Sequence, residues 1–279
     1  MLRTRVLTAV ALLPLVIGML FLAPPPAWSL FALFIALLGC WEWSRMSGLR
    51  EGAQSIYLVL SGALGAALWL LYIREMPAFA RIAYSGLVLA GLFWLGVASI
   101  WLTRLLRPDA WVCAFAGWLV LWPTWLALVL LREAGPWLLL AIASMVWVAD
   151  ICAYFAGKSF GRHKLAPRIS PGKTWEGVVG ALAGVVLYGV VLVLVSHARG
   201  WSLGPAFGRA AGVPAIAVMV VLTAFSIVGD LFESWMKRGA GLKDSSALLP
   251  GHGGILDRID ALTSTLPLAA LVFVVLGWP

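Results

Sequence analysis

Charge is what this sequence has least of. Of its 279 residues only 11% are Asp, Glu, Lys or Arg, where a soluble globular domain carries about 25%. With 62% of the residues hydrophobic and a mean hydropathy of +0.98, a soluble chain of this length has no interior able to hide them, and the bilayer is the natural solvent. Cysteine is scarce as well. Cys40, Cys113 and Cys152 lie within or beside apolar runs and no two form a CxxC pair. That removes a zinc or redox motif and leaves three small buried hydrophobes. Internal repeats and low-complexity linkers are missing. The net charge of +8 forms no basic domain but sits in short clusters between apolar runs. A nucleic-acid partner is thereby excluded, and membrane orientation explains the clusters instead.

What is present is a succession of apolar runs. A spanning helix needs about 20 mostly apolar residues. Nine segments qualify: roughly 6–23, 28–45, 55–72, 83–103, 111–131, 136–156, 175–196, 213–233 and 258–278. The predicted fold is all-α, a polytopic helical membrane protein with about nine transmembrane helices. The second run contains Glu42 and the fifth Pro123, which makes these two the least regular. The first follows Arg3 and Arg5 and is longer than the apolar core of a cleaved signal peptide, about 7–15 residues, so a retained span is expected. Trp28, Trp101, Trp111, Trp137, Trp175, Trp201 and Trp278 fall near predicted ends, where amphipathic rings favour the membrane interface.

Basic residues set the orientation. With the N-terminus inside, fifteen basic residues lie in inner segments and five (Arg74, Arg81, Arg132, Arg199 and Arg209) in outer ones. That asymmetry favours N-in and, with an odd number of spans, C-out. Polar chemistry gathers late in the chain: seven of the twelve acidic residues lie between 150 and 260. The expected organisation is N-terminal transmembrane helices over 1–134 and a C-terminal catalytic region over 135–279.

Three segments there carry the chemistry. Asp150 stands near the inner end of an apolar helix, with Tyr154 one turn further on the same face. A carboxylate in a bilayer costs about 2.5–3.5 kcal/mol, so it faces a cavity or a partner; a structural ion pair is the plain alternative. The loop 157–177 contains Gly172-Lys173-Thr174, but a Walker A would need glycine where Pro167 stands, and a P-loop is excluded. What remains is a basic loop with a Ser170-Pro171 turn and a helix start at about Thr174, where backbone N–H groups beside Lys173 favour an anion. A loop that only anchors topology is the alternative.

The third segment runs from Asp230 to Asp260. Asp230, Ser234 and Lys237 share one helical face, and Asp257 and Asp260 share another. Carboxylates from two helix ends can converge on one point, and oxygen ligands of this kind suit Mg²⁺. Lys237, Arg238, Lys243 and Arg258 would neutralise phosphate beside it. Gly251, Gly253 and Gly254 let backbone approach a ligand. His252 reads equally as a phosphate ligand, a general acid or a hydrogen-bonded loop residue. A salt-bridged loop is the alternative for the whole cluster.

The stretch Ser234…Lys237-Arg238…Lys243-Asp244…His252-Gly253-Gly254…Asp257-Arg258-Ile259-Asp260 resembles the signature of the phosphatidate cytidylyltransferases. Asp150…Tyr154…Gly157…Gly161…Ser170-Pro171-Gly172-Lys173-Thr174-Trp175-Glu176-Gly177 resembles the family's second recurring block. The likeness covers about residues 145–262. It implies attack of a phosphatidic acid oxygen on the α-phosphorus of CTP, giving CDP-diacylglycerol and pyrophosphate in phospholipid biosynthesis. It further implies Mg²⁺ and a second, monovalent cation such as K⁺, with Asp230 and Asp257 as the foremost metal ligands and Asp150 and Asp260 in support. By the same resemblance Lys237, Lys243 and His252 join Asp230 and Asp257 as catalytic residues. Ser170, Lys173, Thr174, Ser234, Arg238, Asp244, Gly253, Gly254 and Arg258 bind the substrates. A multi-pass protein of a plasma or bacterial inner membrane, its site on the cytosolic side, is expected, and a homodimer is compatible with it. The competing expectations are a CTP-dependent polyprenol kinase and, from another class, a cation-coupled transporter, whose carboxylates would sit nearer the bilayer middle.

Overall fold

The structure, a computed structural model, describes residues 2–199 and 212–276, and the side chains of all of these but 2–5 and 199. Trp201, Arg209 and Trp278 lie outside the described residues, as do the side chains of Arg3, Arg5 and Arg199. The described residues form nine long helices: α1 (Leu2–Leu22), α2 (Pro25–Met46), α3 (Glu51–Ile73), α4 (Pro77–Arg104), α5 (Ala110–Ala134), α6 (Pro136–Phe160), α7 (Trp175–Arg199), α8 (Gly212–Gly239) and α9 (Leu256–Val275). Eight of them, α2 to α9, are long and apolar enough to cross a membrane; the described apolar part of α1, Val6–Leu22, is shorter. The chain is a polytopic helical membrane protein. Its spans wear apolar side chains outward, such as Val59 on α3 and Val179, Leu187 and Leu194 on α7, as lipid-facing surfaces do.

Local sequence accounts for the helix ends. Pro25, Pro77 and Pro136 open α2, α4 and α6, where a residue without an N–H forfeits no intrahelical bond. Pro123 sits inside α5 without ending it. The turn there is tied by Thr124, whose hydroxyl donates to Val120 O at 2.7 Å and to Thr263 O of α9 at 3.2 Å. Membrane helices tolerate proline because neighbours satisfy the freed backbone groups. Phe93–Ala98 within α4 is a π-helical turn that sets Phe93 and Trp94 against Phe232 of α8, with ring centroids 5.5 and 5.4 Å away.

Two spans outrun their expected ends. Helix α6 continues to Phe160 and α8 to Gly239, beyond the apolar runs; in α8 the extra turns carry Lys237, which meets Glu233 and Asp257. The loop between α6 and α7 also differs from expectation. It folds into a hairpin of β1 (Lys164–Ala166) and β2 (Ser170–Thr174). The chain reverses at 167–169, so Ser170-Pro171 opens a strand and is not the turn itself. Trp28 and Trp101 lie near helix ends and pack inward: Trp28 is buried and donates to Leu128 O at 3.0 Å, and Trp101 stacks on Phe232. Trp111, Trp137 and Trp175, at the starts of α5, α6 and α7, are exposed.

Packing joins the two halves of the chain. Helix α6 lies closely on α7 because a Cβ at Gly180 would run into Ala156 and one at Gly184 into Cys152; small residues let membrane helices approach. Helix α9 packs against α8 and α6 on one side and against α2, α4 and α5 on the other. The last helix is thus a shared core element, with Leu256, Leu266 and Ala270 buried.

Candidate active site

The polar residues of the C-terminal half come together where the end of α6, the hairpin, the end of α8 and the start of α9 meet. The face of α8 expected from its spacing is present: Ser234 donates to Asp230 at 3.4 Å one turn earlier. Strand β2 lies on α8 and delivers Lys173, whose Nζ stands 2.5 Å from Asp230 Oδ2. One turn beyond Glu233, Lys237 points its ammonium between two carboxylates, 2.8 Å from Glu233 Oε2 and 2.6 Å from Asp257 Oδ1. Lys237 and Glu233 are 8% and 3% exposed. A lysine so far from water stays charged because two anions compensate it.

The carboxylate of Asp257 takes four donors. While Oδ1 holds Lys237, Oδ2 accepts from Gly254 N at 2.8 Å, Ser245 N at 2.9 Å and Ser245 Oγ at 3.0 Å. The loop leading to it is built for this. Pro250 and Gly251 (φ 78°), closed by His252 N donating to Leu249 O at 2.8 Å, match a type II turn. Gly253 then takes φ 82°, and a Cβ there would lie 2.6 Å from Asp257 Oδ2. The room beside Gly253 and Gly254 therefore holds the protein's own carboxylates, Asp257 and Glu42.

Asp150 and Asp260 complete the acidic group. Asp150 is exposed on α6, nearly three turns before its end at Phe160, and Asp260 is half-buried on α9 with Oδ1 accepting from Ala261 N at 2.7 Å. Each lies within Coulombic reach of Asp230. Among the described residues no three acidic, His or Cys side chains close around a single metal-sized point. The remaining basic candidates, Lys243, Arg258 and Arg238, are exposed, and the guanidinium of Arg238 donates to Leu242 O at 3.0 Å. Asp244 is exposed and Ser170 half-buried. His252 is half-buried, and its Nδ1 is buried with no hydrogen-bond partner among the described residues. Thr174 is buried, and its Oγ1 accepts from Gly177 N at 3.1 Å as the cap of α7. Glu176, in the first turn of α7, takes His163 Nδ1 at 2.7 Å and anchors the hairpin base.

Three participants were not among the sequence candidates. Glu233, at the end of an apolar run, is half of the clamp on Lys237. Glu42, from α2, is fully buried against the 245–256 segment. Its signal was legible: an acidic residue inside an otherwise apolar run must have a partner. Ser245, which touches both Glu42 and Asp257, carried no signal beyond being a loop serine.

This arrangement can hold polyphosphate and hard cations and can neutralise charge developing on phosphorus. Comparison with known proteins bears on the same point. A model of the cytidylyltransferase family matches residues 3–276. The phosphatidate cytidylyltransferase of Pseudomonas aeruginosa is 40% identical over 288 residues, covering 100% of this chain and 99% of its own. Those of Haemophilus influenzae and Thermotoga maritima are 33% and 31% identical, the matches covering 96% and 99% of this chain and 96% and 97% of theirs.

Proposed function

The chain belongs to the cytidylyltransferase family, and from that premise we propose that it transfers the cytidylyl group of CTP to phosphatidate. A phosphate oxygen of phosphatidate attacks the α-phosphorus of CTP, the bond from that phosphorus to the β-phosphate bridge breaks, and pyrophosphate leaves with CDP-diacylglycerol as the other product. The observation that carries this is the meeting of Asp150, Asp230, Asp257 and Asp260 with Lys173 and Lys237 at one end of the helical bundle. Nucleophile and leaving group are both anionic, so the protein's task is to neutralise charge and to align the reacting groups.

The donor set fits Mg²⁺: it is all carboxylate oxygen, from three helices, and this ion accepts few protein ligands while keeping waters and substrate phosphates. Asp230 and Asp257 would hold it with Asp150 and Asp260 beside them, and the same acidic group would attract a monovalent cation such as K⁺. Bound there, Mg²⁺ supplies neutralisation of the triphosphate. Asp230 and Asp257 each hold a lysine ammonium, so the acidic pair already accommodates positive charge. When substrate phosphates arrive, Lys173 and Lys237 have new anionic partners within reach, and Lys243, Arg238 and Arg258 line the approach. His252, with its unpartnered Nδ1, offers a hydrogen bond to a phosphate oxygen. The nucleophile is ionised at neutral pH and needs no strong base. The basic loops suit the cytosolic face of a plasma or bacterial inner membrane, where soluble CTP meets a membrane lipid.

Turnover of CTP and phosphatidate by the purified protein in detergent, with and without Mg²⁺, tests this. Mg²⁺-dependent pyrophosphate matched by CDP-diacylglycerol is the expected result. CDP without pyrophosphate would replace it with a lipid kinase, and a folded protein that turns over neither would return the transporter.

A further inference from the structure

Glu42 belongs to the N-terminal helices by sequence and to the polar cluster by position. Its side chain, 0% exposed near the end of α2, takes four donors from a single segment some two hundred residues away. Oε1 accepts from Ser246 Oγ at 2.5 Å and from Ile255 N at 2.9 Å; Oε2 accepts from Ser245 Oγ at 3.0 Å and from Leu256 N at 2.7 Å. Each oxygen thus has one serine hydroxyl and one amide from the start of α9. Carboxylates are favoured at helix N-termini, where N–H groups lack intrahelical partners and the dipole is positive. Here the capping group comes from another helix.

Two details connect this contact to Asp257. The hydroxyl of Ser245 reaches Glu42 Oε2 and Asp257 Oδ2 at 3.0 Å each, so one hydroxyl links both carboxylates. Gly254, whose N–H donates to Asp257 Oδ2, has no space for a Cβ because Glu42 Oε1 and Ser245 Oγ fill it. The residues that hold Asp257 Oδ2, Ser245 and Gly254, are therefore residues that Glu42 holds or crowds, while Oδ1 is left to Lys237.

We propose that Glu42 is a positioning residue for the reaction: fixed on α2, its carboxylate orients Asp257 through the first turn of α9 and the Ser245 hydroxyl. This rests on the cytidylyl-transfer function proposed above. Glu42 touches no substrate; it acts through Asp257.

The test is Glu42→Gln, measured for turnover and for amide hydrogen exchange beside the parent protein. Glutamine keeps the size but offers one acceptor and one donor. Its NH₂ must then face the N–H of Ile255 or Leu256, neither of which can reverse. The expected result is a kcat about 10- to 100-fold lower, the range for partners that orient metal ligands, with KM for CTP and phosphatidate within about threefold. Exchange should quicken at residues 254–257 while the amides of α3 and α7 keep their protection. A kcat within about threefold of an active parent would overturn the proposal and leave Glu42 a structural cap. If Glu42→Gln does not fold, Ser245→Ala decides, since it removes the linking hydroxyl and leaves the backbone bonds of Glu42 in place. A kcat loss beyond about threefold there supports the proposal, and a smaller one overturns it. Failure of the cytidylyl-transfer function itself would show in the parent protein, which would then not turn over CTP.

Discussion

The helices before residue 135 and those after it use polar groups in opposite ways. In the first set, polar side chains mostly serve packing: Trp43 donates to Cys113 O at 2.8 Å, Trp118 to Ser61 Oγ at 2.8 Å and Trp125 to Ser29 O at 3.0 Å. Neutral groups are satisfied by neutral partners, and the energy of each bond is local. In the second set, charges are paired at one end of the bundle, Lys173 with Asp230 and Lys237 with Glu233 and Asp257. Buried charges are weak evidence for stability, because desolvation offsets most of their attraction. Their presence here points to chemistry. Glu42 is the exception that joins the regions, a charge from the packing half spent on the other half's loop.

Substitutions should separate the two roles. The largest effect is expected from Asp257→Asn, which leaves Lys237 with Glu233 alone and sets an amide against the N–H groups of Ser245 and Gly254. Turnover should fall about 100- to 1,000-fold, and breaking the buried pair should cost about 3–5 kcal/mol, read as CTP turnover and as thermal unfolding in detergent. Retained turnover would break the comparison outright. Next comes Lys173→Ala. Its pair with Asp230 is partly exposed, with side-chain exposures of 24% and 28%, so stability should change by no more than about 1 kcal/mol. Turnover should nonetheless drop about 100-fold. Equal losses of both would mean that the ion pair is structural.

The packing half should show the inverse pattern. Gly117→Ala sets a Cβ against the indole of Trp43, 2.6 Å from its Nε1. Overpacking of this kind costs about 1–3 kcal/mol, and kcat measured below the unfolding transition should stay within about twofold. The smallest effect belongs to Ser55→Ala, an exposed hydroxyl bonded to Glu51 O at 3.2 Å; both stability and turnover should stay near parent values, within about 0.5 kcal/mol. A larger change at Ser55 would show that this face is covered by something besides lipid.

Much of the architecture was legible beforehand because a span announces itself by length and hydropathy alone. The helices begin and end within a few residues of the apolar runs, except where α4 starts six residues early, at Pro77, and where α6 and α8 extend into polar sequence. Those turns were illegible for a physical reason. Apolar periodicity stops at Glu233, while the helix continues because Lys237 finds Glu233 and Asp257. The hairpin escaped notice for a related reason, since strands of three and five residues carry too little pattern to register. Within the site, Asp230, Lys237 and Asp257 were visible from helical spacing. Thr174 was visible too, and its Oγ1 also accepts from Gly177 N as the cap of α7.

Taken alone, the sequence determined the solvent, the approximate number of spans and where most of the acidic residues gather. Each of these follows from composition summed over about 20 residues, and no contact between distant segments alters them. Only the tertiary structure decided which charges touch. Lys237 bonding Asp257, Lys173 meeting Asp230 and Glu42 capping α9 join residues from 20 to 214 positions apart. Such pairings depend on how helices pack, and helix packing in a membrane is set by small-residue surfaces and shape complementarity. The period of an apolar run says which face turns inward, and it is silent about which other helix that face will meet.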